Sequence, residues 1–195
     1  MKKIRQLKFT LMEVTVAFGI FAVLVAVLMQ FLSTAQRSWN LAEKRARAYA
    51  DSRILFDLIE KSLHTSRPAT SITTGNSLSF DGVLPYRTSG SNLKNIGNIS
   101  FSFNNNTGII SLSFNSNSSG DEILRNVSSF NTSVPSAFSS AGTRPSFITV
   151  NLQMFGSDED YAVWQSLNGN TTAQNNYFRE HGFIFARLIS LPIGD

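Results

Sequence analysis

The sequence has no cysteine and only two histidines, His64 and His181. The first absence excludes disulfide staples, thiolate zinc sites and a cysteine nucleophile, which for an exported chain would mean that the fold relies on packing alone. The second leaves little material for acid–base chemistry or a histidine metal site. No serine stands in a Gly-x-Ser-x-Gly frame with a histidine near it, and no glycine-rich loop opens a helix to cradle phosphate. A non-enzymatic chain without a cofactor is the expectation. Nucleic acid is not an expected partner either. The net charge of +4 is uneven: residues 1–67 hold eleven Lys/Arg against five Asp/Glu, and residues 68–195 hold six against eight. No Lys/Arg run with interleaved aromatics appears in the second part, as a groove tracking a phosphate backbone needs.

What the chain does have is a long apolar run. Lys2, Lys3, Arg5 and Lys8 precede it without an acid, and Phe9 to Leu32 holds one ionisable residue, Glu13, and no proline. Those 24 residues make a helix of about 36 Å, enough for a hydrocarbon layer of about 30 Å. The basic leader predicts a cytoplasmic N-terminus and places the downstream chain on the far side. Two rivals stand beside this single-pass reading. Ser33-Thr34-Ala35 offers the small residues of a secretory cleavage site, although the apolar run exceeds the usual signal length. A buried core helix is the other, but apolar residues surround every face. A carboxylate inside a membrane segment is costly and marks function or a partner, unless it lies shallow and reaches the headgroups.

The stretch "FTLMEV", Phe9 to Val14, followed by "TVAFGIFAVL", resembles the N-terminal motif of type IV prepilins and type II secretion pseudopilins. In that family a membrane-embedded aspartyl peptidase removes a short basic leader just before the phenylalanine and methylates the new amine. The resemblance implies cleavage between Lys8 and Phe9 and N-methylation of Phe9. Lys8 departs from the glycine that the family usually carries before the cut. Glu13 matches the family's glutamate at the fifth mature position, which meets the positive N-terminal amine of a neighbouring subunit and sets axial register, a well-attested use of a buried ionic group. The resemblance therefore implies that Glu13→Ala spares membrane insertion and impairs incorporation into a filament. The implied partners are other pilins or pseudopilins through the helix, the prepilin peptidase/methyltransferase, and membrane lipid. The implied location is the inner membrane, with a periplasmic C-terminal domain.

Beyond the apolar run the pattern turns amphipathic without a break. Trp39, Ala42, Ala46, Tyr49, Arg53, Phe56, Glu60 and Leu63 follow steps of three and four, as one stripe of a helix does. Ile54, Leu55, Leu58 and Ile59 widen that face, as suits a half-helix laid against a sheet. Arg37, Glu43, Lys44, Arg45, Arg47, Asp51, Asp57 and Lys61 read as a solvated surface of mixed sign. One helix ending near His64, before Arg67-Pro68, and two helices jointed near Ser33-Thr34 both fit the pattern.

From Pro68 the composition shifts to Ser, Thr, Asn and Gly with period-two apolar runs. Residues 77–84, 98–114, 147–155 and 183–191 read as half-buried strands, the second span folding as a hairpin about "NNNTG". Residues 120–130 read as one further strand, and "NTSVPSAFSSAGTRP" and "SLNGNTTAQNNYFRE" as loops. The expected fold is α+β: a long N-terminal helix, transmembrane in its first half, packed on a C-terminal antiparallel sheet domain. The divisions are a leader 1–8, an apolar half-helix 9–32, an amphipathic half-helix 33–67 and a β-rich domain 68–195. The strand order, with "EILRNVSSF" before "RPSFITVNLQMF", resembles the J-type minor pseudopilins. Other minor pilins share that pattern.

Smaller features read as ordinary. Asp158, Glu159 and Asp160 in "GSDEDY" are weak candidates for calcium, in what reads as an acidic turn without EF-hand spacing. His64 reads as a partner of the helix C-terminal dipole, and His181 as a residue bordering the last strand. The Asn-x-Ser/Thr sites at Asn98, Asn105, Asn117, Asn126, Asn131 and Asn170 read as solvated edges and loops, not glycans.

Overall fold

The structure is a computed structural model that describes residues 10–66, 72–83, 96–115, 120–134 and 145–191. The fold is α+β, with a long apolar N-terminal helix followed by antiparallel sheets. The helix, α1 (Leu11–His64), is continuous through Ser33 and Thr34, so there is no joint there. It contributes to both units into which the chain divides, Met1–Glu43 and Lys44–Asp195.

The first unit is described by the apolar part of α1. Side chains of opposite faces, Leu11, Phe18, Phe21, Val23, Met29 and Phe31 among them, are all exposed. This is the one helix among the described residues that is long and apolar enough to cross a membrane, and none of its most apolar stretch is buried. No amphipathic stripe exists here because no face has a partner to turn toward.

Among the described residues the second unit holds seven strands. β1 (Ser77–Gly82), β2 (Gly97–Asn104), β3 (Ile109–Phe114) and β4 (Asp121–Leu124) form one antiparallel sheet in that order, and β5 (Val127–Ser133), β6 (Phe147–Phe155) and β7 (Gly182–Ser190) form another. Period two decides which side chains meet the core. Leu78, Phe80, Ile99, Phe101, Ile110 and Leu124 point inward from the first sheet, and Phe130, Ile148, Val150, Leu152, Met154 and Ile189 from the second. The other face of the first sheet is a ladder of serines, Ser77 opposite Ser102 opposite Ser111 and Ser79 opposite Ser100 opposite Ser113.

Residues 120–130 form two strands and not one. Asn126 takes a left-handed conformation (φ 61°), which asparagine tolerates better than most residues, and the chain leaves one sheet for the other at that point. Two short helices also occupy ground expected to be turn and loop: α2 (Asp158–Ser166) and α3 (Thr171–His181). Ser157 caps α2 by accepting from the Asp160 amide, and Asn170 caps α3 by accepting from the Ala173 amide, at 3.0 Å. Around Phe155 these helices gather Tyr161, Trp164, Tyr177 and Phe178, with ring centroids 5.3–6.2 Å from it.

The buried face of α1 in this unit is turned from the stripe that the apolar pattern suggests. Ala48, Ser52, Leu55, Ile59 and Ser62 lie at its centre, flanked by Phe56, Leu58 and Leu63. Trp39, Ala42, Ala46, Tyr49 and Arg53 are exposed, as is Ile54. The side chains buried at 48, 52 and 62 are small, and serine, polar by pattern, hides this face from a hydrophobic count.

Candidate functional site

Two clusters of polar side chains stand out, one in each unit. In the first unit the helix begins with a reciprocal cap. Thr10 precedes the first helical residue, and its hydroxyl accepts from the Glu13 amide at 3.3 Å. The Glu13 carboxylate in turn accepts from the Thr10 amide at 2.9 Å and from the Thr10 hydroxyl at 3.1 Å. This is a capping box, Thr-x-x-Glu, in which two otherwise orphaned amides of the helix start are satisfied together. Farther along, the Thr15 hydroxyl donates to the carbonyls of Leu11 and Met12 at 3.1 and 2.9 Å, and the Thr34 hydroxyl to that of Gln30 at 3.0 Å. The hydroxyls of Thr10, Thr15 and Thr34 and the Glu13 carboxylate thus find partners within the helix and its cap, as a segment surrounded by hydrocarbon requires. Lys8 and Phe9, the residues of the expected leader cut, lie outside the described residues.

In the second unit Asp160 is the buried centre of a polar node. Its carboxylate accepts from Lys44 Nζ at 2.7 Å, from the Ser157 hydroxyl at 2.7 Å and from the Tyr177 hydroxyl at 3.2 Å. Burial pushes the Asp160 carboxyl up, but these donors together outweigh it and hold the group below its ordinary value. Burial, with the Asp160 charge next to it, pushes the Tyr177 hydroxyl the other way. The three acidic residues do not converge. Asp158 accepts from the Asn126 amide group at 2.6 Å, Glu159 is exposed, and Asp160 is spent on the node. Among the described residues no group of three or more His, Asp or Glu side chains is placed to hold a metal. The acidic run belongs to the first turn of α2, where carboxylates suit the positive end of the helix dipole.

A second ionic group joins α1 to β7: Arg187 donates to Asp57 at 2.9 Å and also to Glu60. His64, in the last turn of α1, lies 4.0 Å from Glu60, and His181 ends α3 stacked on Tyr177 just before β7. No nucleophile–base pair is formed by these groups. Among the described residues Glu13 is the one acid in the exposed apolar part of α1, up to Leu32. No protein-family model matches the chain, and no curated protein matches it.

Proposed function

We propose that the chain is a non-enzymatic structural subunit of a type IV pilus-like filament, of the minor pseudopilin kind and most like the J type of type II secretion. The observation that carries this reading is the apolar half of α1, exposed on all faces, with one carboxylate near its start. Such a helix has two solvents open to it, lipid and other helices like itself. In lipid it would anchor the chain in the inner membrane with its N-terminus inside and the sheet domain in the periplasm. In a filament it would exchange lipid for neighbouring helices, and Glu13 would meet a cationic group of one of them. Such pairing fixes register because an unpaired carboxylate among apolar helices is costly. The work of assembly would come from a separate ATPase, since the chain has no nucleotide motif.

The mature N-terminus tests this reading. Intact-mass analysis of the membrane-extracted chain is expected to show cleavage before Phe9 and one added methyl group. Cleavage after Ala35, or an uncut leader, would speak against it.

The capping box favours one second reading. If Glu13 does no more than close the helix start, the apolar half is a plain single-pass anchor, and the sheet domain acts through its loops on a ligand. In that case the charge of Glu13 is dispensable and its hydrogen-bonding shape is not.

A further inference from the structure

We infer that Thr10 is a positioning residue for Glu13: its amide and hydroxyl hold the carboxylate while the helix stands alone, and release it to a cation on a neighbouring helix during assembly. The inference rests on the filament reading and adds to it a partner exchange within a single chain. Both donors are in hand, at 2.9 and 3.1 Å, and the Glu13 amide is bound back to the same hydroxyl at 3.3 Å. Each of the three bonds lies within the segment Thr10–Glu13, so the box survives any cut made between Lys8 and Phe9. It also fixes where the carboxylate is kept. An acid at the third helical position that folds back on its cap lies against the helix start, and its free lone pairs remain open to an approaching cation. A carboxylate accepts several hydrogen bonds, so the incoming cation can bind before the Thr10 donors let go, and the exchange passes through no unpaired carboxylate. Thr10 thereby lowers the cost of carrying Glu13 through an apolar layer and presents it in one place.

The test uses the full chain in lipid nanodiscs, with selective labelling of threonine. The Thr10 amide stands before the first helical turn and has no intrahelical partner of its own. Its hydrogen exchange is expected to be about ten- to a hundredfold slower in the wild type than in Glu13→Ala, as one charge-assisted bond implies. Glu13→Gln should keep much of that protection, because glutamine serves in the same box. Incorporation into sheared filaments, read beside exchange, separates positioning from a merely structural role. Thr10→Val is expected to lower incorporation severalfold on its own and to add nothing to Glu13→Ala, while Thr10→Ser restores the wild-type level. An unprotected Thr10 amide, or a Thr10→Val loss of equal size in both backgrounds, would overturn the positioning role alone. Wild-type incorporation by Glu13→Ala would instead overturn the filament reading and the role together, even where the wild-type amide is protected.

Discussion

Asp160 accepts from Lys44, Ser157 and Tyr177 in a setting that is otherwise aromatic, and its carboxyl is held below the ordinary range by those donors. The consequence for stability has a definite sign. A carboxyl depressed on folding contributes fully above its unfolded value of about 3.9, and that contribution is lost as the pH falls through the lower folded value. Asp160→Asn, which resembles the protonated group in shape, is therefore expected to cost about 1–3 kcal/mol at neutral pH. The gap between it and the wild type should hold down to about pH 5, begin to narrow near about pH 4, and close as the pH falls through the lower folded value. Urea unfolding of the detergent-solubilised chain across that range measures it, and a gap indifferent to pH would remove the ion pair from the account. Glu13 shares the capping arrangement but not the setting. Both Thr10–Glu13 and Ser157–Asp160 are instances of a Ser/Thr followed three residues later by an acid, at the start of a helix. The motif was legible in both places. At Glu13 the interest of a charge in an apolar run hid the local explanation, and at Asp160 the acidic run looked like a turn.

At the scale of elements, strands were the most legible. The span read from alternation at 147–155 is β6 to the residue, and the hairpin about the Asn-rich turn is β2–β3. A strand with one face on a core writes its own pattern into the sequence. The helices did so less well. The second half of α1 buries Ser52 and Ser62 beside Ala48, so its core face counts as partly polar. α3 buries none of its residues, and its first six include two Thr and two Asn, which are weak helix formers. It exists because Asn170 caps it and because Tyr177 and Phe178 reach Phe155. The close fit of α1 to the end of β6 carries a prediction at this scale. A Cβ added at Gly156 would run into the backbone carbonyl of Lys44. Gly156→Ala is expected to destabilise the chain by about 1–3 kcal/mol, because backbone on one side and backbone on the other leave no side chain to yield. Thermal unfolding of the detergent-solubilised variant measures this; an unchanged midpoint would show the approach to be looser than described.

At the scale of the whole molecule, the sequence divides labour between two kinds of surface. The sheet domain turns inward one apolar set, drawn from α1 and from each of the described strands, and buries it from water, while Ile54, Ile184 and Leu188 stay exposed. The first half of α1 turns its apolar residues outward on every side. An arrangement of that kind is stable only where something other than water covers the helix. Lipid alone satisfies its apolar side chains, and the capping box satisfies its carboxylate, so a plain anchor needs nothing more. What the filament reading adds is a use for the negative charge itself. Glutamine in place of Glu13 keeps the capping geometry and the length of the side chain while removing that charge. The most direct measurement is therefore the fraction of Glu13→Gln chains recovered in sheared filaments, compared with wild type at equal membrane level. A loss of about tenfold or more, the scale of one buried ionic hydrogen bond, is what the filament account predicts. Recovery at the wild-type level would contradict it and leave α1 as an anchor whose glutamate only closes its first turn.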